Sequence, residues 1–282
     1  MRNTAVLRIN CPDRKGLVAA VASLLYRHGA NITHADQHQD HEAGLFFMRV
    51  EWTLQEFNLG AFREEFQTTA AELQMQWRLN LMSEPLRMAI FVSQHLHCLA
   101  DILHRHQAGE LDCSIALIIS NHPHAESLAR FYGIGFRYIP MKPEIKKQAE
   151  EEQARLLAAE RIDLIVLARY MQILSPEFVE EHPARIINVH HSFLPAFIGA
   201  RPYHAAFRRG VKLIGATSHY VTAALDDGPI IEQDVVRISH RDQVEDLVQK
   251  GRDIEKAVLS RAVRWHLEHR ILGYGNKTVV FD

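Results

Sequence analysis

Cysteine is scarce in this chain. Its 282 residues include three, Cys11, Cys98 and Cys113, and no Cys-x-x-Cys pair. That is too few and too scattered for a disulfide framework, and it points to a reducing compartment. Long apolar runs are also missing. No stretch approaches the ~20 residues of a membrane span. The opening MRNTAVLRINCPDRKG lacks the apolar block of a signal peptide and reads as a first strand. Neither sign of charge is in excess: 32 Lys+Arg stand against 34 Asp+Glu, a net charge of −2. That balance argues against a protein held to nucleic acid by a basic surface. Repeats, low-complexity segments and long linkers are absent. Hydrophobic residues at 47% and charged ones at 23% fit a folded chain of one large or two ordinary domains. The expectation is a cytoplasmic protein with no nucleic-acid or membrane partner.

Histidine is abundant instead. There are 18, many in His-x-His pairs: His95/His97, His104/His106 and His122/His124. None of these pairs has a Cys, His or carboxylate partner at an established ligand spacing, so they read as solvated loop and helix residues. No metal and no cofactor are expected.

The chain divides near Ser83-Glu84-Pro85, a short polar break with a proline. Before it, Thr4–Asn10 reads as a strand. Asp13 is a candidate cap for the helix that follows, whose Leu17, Val21, Leu24 and Leu25 share one face. Gly29 ends that helix. Two strands then flank a turn at Asp40–Gly44. A second helix spans about Gln55–Ala71 with Phe57, Ala61, Phe62 and Phe66 inward, and Glu72–Leu81 alternates again. The order βαββαβ is ferredoxin-like. After the break, short continuous apolar runs at 87–93, 113–120, 163–168 and 185–190 alternate with helical stretches. Runs of that kind mean a parallel sheet buried on both faces. Residues 211–221 and 229–238 add strands, and a helix from about Arg241 to Glu268 closes the domain. The run Glu150-Glu151-Glu152 reads as a solvated helix face. The expected fold class is α/β: a ferredoxin-like domain, residues 1–83, then a doubly wound, mostly parallel domain, residues 84–282.

Ligands of open parallel sheets bind outside the carboxyl ends of strands. Asn188 and His190 stand at one such end, two residues apart and so on the same side. Downstream, GATSHYVTAALDDGPIIEQ runs strand, acidic loop, strand. An amide donor, a histidine and a carboxylate are the parts that acyl transfer needs. On residue type alone, Asn188 fits a turn cap equally well, and His190 fits a satisfied core histidine.

These residues also carry a resemblance. NVHHSFLP from Asn188, GATSHYV from Gly215 and LDDGPIIEQ from Leu225 resemble the folate-dependent formyltransferase/deformylase superfamily. The resemblance implies Asn188, His190, His219 and Asp226 as catalytic residues. It also likens LARYMQILSP, residues 167–176, to the stretch that lines the folate pocket. That stretch contributes Arg169, Met171, Gln172, Ile173 and Leu174, with Leu167 as a further apolar wall. CPDRKGLVAAVASLL and GANI resemble an ACT domain. An ACT domain ahead of this catalytic domain is the arrangement of the formyltetrahydrofolate deformylase family, which FIGARPYHAAF and NKTVVF also fit. The implied reaction is hydrolysis of 10-formyltetrahydrofolate to tetrahydrofolate and formate, with purine synthesis as a consumer of the formate.

The alternative is formyl transfer to a small amine. Relatives acting on glycinamide ribonucleotide carry a glycine-rich phosphate loop after the first catalytic-domain strand. Here Ser93–Leu99 contains no glycine, lysine or arginine, so water is the expected acceptor. A transferase for initiator tRNA is expected to have a further C-terminal domain, for which the sequence leaves no room. Asp226 is expected to position the water and move its proton, with Asn188 and His190 donating to the developing oxyanion and His219 orienting Asp226. In the first domain, Gly16 permits close backbone approach and the next helix offers free N–H groups. With Asp13, Arg14 and Asn31 they outline a site for a small amino acid, and the resemblance suggests glycine and methionine. The small first domain is expected to pair, giving a homo-oligomer.

Overall fold

The computed structural model describes residues 3–196 and 202–282. The sequence motif at residues 197–207 therefore lies partly outside the described residues. Two compact units appear: residues 1–85 with 268–274 and 279–282, and residues 86–267 with 275–278.

The first unit contains β1 (Thr4–Pro12), α1 (Leu17–Arg27), β2 (Asn31–Asp40), β3 (Leu45–Thr53), α2 (Leu59–Glu72) and β4 (Gln76–Leu81). The sheet order is β2-β3-β1-β4, with β1 antiparallel to both β3 and β4. This is the ferredoxin-like βαββαβ arrangement. Leu17, Val21, Leu24 and Leu25 are the buried face of α1, as their spacing requires. The cap differs from expectation. Gly16, at φ +92°, is the N-cap residue, and no side chain caps α1. Asp13 instead accepts a hydrogen bond from Gln39 Nε2 at 2.9 Å. Helix α2 starts later than the pattern suggested, because Asn58 caps it by accepting from Ala61 N. That start turns Ala61 to solvent and leaves Phe62, Phe66 and Ala70 buried.

Strand β3 is buried on both faces. One face joins the helix side, with Trp52 tilted against Phe57 and Phe62. The other receives a C-terminal pair of strands that the sequence reading did not anticipate. Phe47 packs with Val279 and Phe281. Arg49, 3% exposed, donates through Nε to the carbonyl of His269.

The second unit has β5 (Leu86–Val92), α3 (His97–Gln107), β6 (Cys113–Ser120), α4 (Glu126–Phe131), β7 (Gly135–Tyr138), α5 (Lys146–Ala159), β8 (Leu164–Ala168), α6 (Pro176–Glu180), β9 (Ile186–His190), α7 (Pro202–Arg209), β10 (Leu213–Tyr220), β11 (Ile230–Arg237) and α8 (Val244–Leu267). Strands β12 (Ile271–Tyr274) and β13 (Lys277–Val280) form the C-terminal pair. The seven-stranded order is β11-β10-β9-β8-β5-β6-β7. Strands β9, β8, β5, β6 and β7 run parallel, and β10 runs antiparallel to both its neighbours, β9 and β11. The chain steps from β5 outward to β7, then returns to place β8 on the other side of β5. The β5/β8 junction is therefore the topological switch point.

One helix-face expectation is corrected here. Glu150 is 7% exposed, and its Oε1 accepts Ser175 N at 3.0 Å. It anchors the entry to α6 beneath the loop after β8 rather than lying on a solvated face. Among the described residues, no helix is long and apolar enough to cross a membrane.

Candidate active site

Cross-strand register assembles the site. Strands β9 and β10 pair antiparallel with His219 opposite Asn188 and Thr217 opposite His190. The β10–β11 register shifts at Ser218/His219. His219 Nδ1 lies 2.9 Å from the carbonyl of Tyr220, which only accepts, so Nδ1 carries the proton. Burial holds the His219 imidazole below its ordinary pKa, which favours the neutral ring. Its Nε2 then accepts from Asn188 Nδ2 at 3.3 Å. The hydrogen bond fixes which way the Asn188 amide faces.

Asp226 arrives from the loop between β10 and β11. Its Oδ2 is 3.3 Å from His190 Nδ1, and its Oδ1 is 3.8 Å from His219 Nε2. The second distance is too long for a hydrogen bond. His219 therefore orients Asn188, and the expected orientation of Asp226 falls to His190. The hydrogen bond from His190 holds the Asp226 carboxyl below its ordinary pKa, against the opposing effect of burial. His190 Nε2 is buried and has no hydrogen-bond partner among the described residues.

The LDDGP sequence has a packing reason. A Cβ on Gly228 would lie 1.8 Å from the carbonyl oxygen of Tyr220, so only glycine lets this loop close on the end of β10. Tyr220 N then bonds to the Pro229 carbonyl at 2.9 Å. Asp226 itself sits at φ +53°, a strained conformation for a residue with a side chain. Asp227, its neighbour, is exposed. Thr217 Oγ1 donates to Ser192 O and accepts from Leu194 N, fixing the segment that follows His190.

A cavity of about 270 Å³ opens between this group and the loop after β8. Arg169, Met171, Gln172, Ile173, Leu174 and Leu167 all line it, together with Asn188, His190, His219 and Asp226. Two hydrogen bonds pin that loop to the end of β5: Ser93 N to the Arg169 carbonyl, and Met171 N to Ser93 Oγ. Met171 and Ile173 are 48% and 62% exposed, giving the cavity an apolar rim. The reading from sequence missed the opposite wall, Val221, Thr222, Ala223 and Leu225. A turn sequence gives no periodic signal for such a wall.

Another group, unforeseen in the sequence, lies at the switch point. Among the described residues, the donor atoms of His97, Cys98 and Glu255 come within 4.8 Å of one another. Glu255 Oε2 is 2.7 Å from His97 Nε2, and Glu255 Oε1 accepts from Tyr203 OH at 2.5 Å. Arg169 Nε is 3.5 Å from the same carboxylate. Burial pushes the Glu255 carboxyl up, but His97, Arg169 and Tyr203 together hold it below its ordinary value. Burial keeps the Cys98 thiol protonated by raising its pKa well above normal.

In the first unit, Asp13, Arg14 and Gly16 share the β1–α1 turn, and all are exposed. Arg14 Nη2 donates to Leu73 O and Gln74 Oε1. Asn31 opens β2 and pairs through its backbone register with Thr53.

Comparison with known proteins separates the two halves of the chain in the same order. The formyl transferase family model matches residues 86–263, and the ACT domain model matches residues 5–51. The chain is 54% identical over 280 residues to a formyltetrahydrofolate deformylase of Synechocystis sp., covering 99% of this chain and 98% of that one. The crystal structure of a formyltetrahydrofolate deformylase from Pseudomonas syringae pv. tomato superposes with a TM-score of 0.97 at 50% identity, covering 100% of this chain and 95% of that one. A glycinamide ribonucleotide transformylase from Symbiobacterium toebii matches 70% of this chain and 95% of its own, with a TM-score of 0.66 and 31% identity.

Proposed function

The chain belongs to the formyltetrahydrofolate deformylase family, and from that premise we propose how its residues hydrolyse 10-formyltetrahydrofolate to tetrahydrofolate and formate. The observation that carries the reading is the meeting of Asn188, His190 and Asp226 at one end of a cavity whose other end has an apolar rim. The pterin enters along the loop Arg169–Leu174, where backbone groups meet its polar edge and Met171, Ile173 and Leu174 its faces. The formyl group then points at the strand ends.

Water attacks the formyl carbon, and negative charge develops on the formyl oxygen. Asn188, held by His219, donates one hydrogen bond to that oxygen. His190 Nε2 donates another when the ring carries both protons, its Nδ1 remaining on Asp226. Removing one such donor costs about 10²–10³ in rate in acyl-transfer enzymes. Asp226, ionised, takes the proton of the attacking water and passes it to N10 as the C–N10 bond breaks. No metal and no further cofactor enter these steps. Purified protein with 10-formyltetrahydrofolate and no acceptor is expected to release formate and tetrahydrofolate in equal amounts, unaffected by a chelator. No formate from folded protein would exclude the hydrolase, and inactivation by chelator reversed by zinc would exclude the metal-free mechanism.

The formate is assigned to purine synthesis, and the enzyme to the cytoplasm. Residues 1–83 are assigned regulation and assembly of a homo-oligomer, and residues 84–282 catalysis. Glycine and methionine are the proposed effectors, bound at Asp13, Arg14, Gly16 and Asn31. The φ of +92° at Gly16 and the open space around it support that placement. Regulation requires different effector affinities in the active and inactive states.

A further inference from the structure

Open parallel sheets bind ligands in the crevice at their switch point. In this chain the crevice outside the carboxyl ends of β5 and β8 is filled by the chain's own side chains. Ser93, Arg169, Tyr203 and Glu255 converge there at 3%, 9%, 7% and 1% exposure. They come from four elements: the end of β5, the end of β8, α7 and α8. His97, the first residue of α3, closes the group with its 2.7 Å contact to Glu255. Helix α8 is shaped to admit Tyr203. A Cβ on Gly251, one turn before Glu255, would lie 2.2 Å from the Tyr203 ring.

Arg169 is the unusual member. Its φ is +62°, in the left-handed region where glycine sits without strain. The arginine is thus kept for its side chain, at a cost in backbone energy. That side chain turns inward beside Glu255. Its Nε and Nη1 are buried without hydrogen-bond partners among the described residues, so charge holds the pair. Buried ion pairs with incomplete hydrogen bonding are poor stabilisers, which leaves their position in the molecule as the reason for them. Arg169 also lines the cavity that holds Asn188, His190 and Asp226. The same fold serves a glycinamide ribonucleotide transformylase, so the architecture itself does not restrict the acceptor to water.

We propose that the Arg169–Glu255 cluster, with His97 and Tyr203, fills the space an organic acceptor needs beside the formyl carbon, and that Arg169 determines the specificity for water. The inference rests on the hydrolase reading above. With the plug removed, a small primary amine reaches the formyl carbon in place of water. Its nitrogen forms the new C–N bond, the C–N10 bond breaks, and N10 receives the proton the amine loses.

The test uses the full-length enzyme, 10-formyltetrahydrofolate and glycinamide as the amine, with N-formylglycinamide and formate measured together and the enzyme-free rate subtracted. The wild type is expected to give formate with little formylated amine. Arg169→Gly, which also relieves the backbone, is expected to raise the ratio of formylated amine to formate by at least about tenfold. Glu255→Gln, which frees Arg169, is expected to raise it less and decides alone if Arg169→Gly does not fold. An unchanged ratio in folded, active variants overturns the proposal. So does equal transfer by the wild type, or complete loss of formyl consumption in both folded variants, which would place the cluster in catalysis. A wild type that releases no formate refutes the hydrolase reading instead.

Discussion

The ends of β9 and β10 and the turn between β1 and α1 both present polar side chains beside regular structure, but they are built in opposite ways. At the strand ends each polar group is held from behind. Tyr220 holds His219, His219 holds Asn188, and His190 holds Asp226. Gly228 seats the loop that delivers the carboxylate. In the β1–α1 turn the side chains are exposed, and Asp13 and Arg14 are tied to Gln39, Leu73 and Gln74 rather than to one another. Chemistry needs groups fixed before substrate arrives, because reorganisation during the reaction adds to the barrier. Sensing does not, since a regulatory site works through the difference in affinity between two states.

The contrast is broken most severely at Asp226. Asp226→Asn is expected to fold normally, because the amide keeps the shape of the carboxylate. It is expected to lose about 10²–10⁴ in kcat with the proton carrier gone. Near-full turnover, measured as formate release, would move the proton chemistry elsewhere, with Asp227 next in line.

A smaller effect is expected at the folate rim. Ile173→Trp is expected to raise KM by about tenfold, the low end of what a pocket contact carries, with kcat little changed. Melting temperature is expected to stay near wild type, since Ile173 is 62% exposed. An unchanged KM would remove this loop from substrate binding.

His219 gives a pH-dependent effect on stability. Its folded pKa lies below the ordinary 6.5 because burial disfavours the charged ring. Between the folded value and 6.5 the unfolded chain binds the extra proton. The contribution is therefore complete above about pH 6.5 and is lost as pH falls through the folded pKa. Urea unfolding of wild type and His219→Gln across pH 5–8 is expected to show the wild type more acid-sensitive. Parallel curves would mean that His219 titrates normally.

The smallest effect is expected in the first unit. Gly16→Val is expected to leave basal hydrolysis intact and abolish the response to glycine or methionine. If neither amino acid changes wild-type activity or gives heat on titration, the first unit serves assembly alone.

The meeting of Asn188, His190 and His219 was legible because strand pairing converts linear motifs into contacts. Two residues on β9 face the same side, and an antiparallel neighbour brings His219 opposite Asn188. The α1 face and the βαββαβ order were legible for the same kind of reason, periodicity acting over short range. What stayed hidden depends on long-range burial. Glu150 and Glu255 look like solvated helix charges in sequence, yet their partners lie 25 and 158 residues away. The second buried face of β3 depends on a C-terminal segment more than 200 residues further along the chain. Asp13 looked like a helix cap until Gly16 took the N-cap position and Gln39 took its carboxylate.

Water attack within the Asn188–His190–Asp226 group is tested most directly by a single turnover in H₂¹⁸O. One labelled oxygen in each released formate, with Asp226 unlabelled, is the expected result. Unlabelled formate, with the label instead in the Asp226 carboxylate after that one turnover, would show that the carboxylate attacks the formyl carbon itself and would contradict the account.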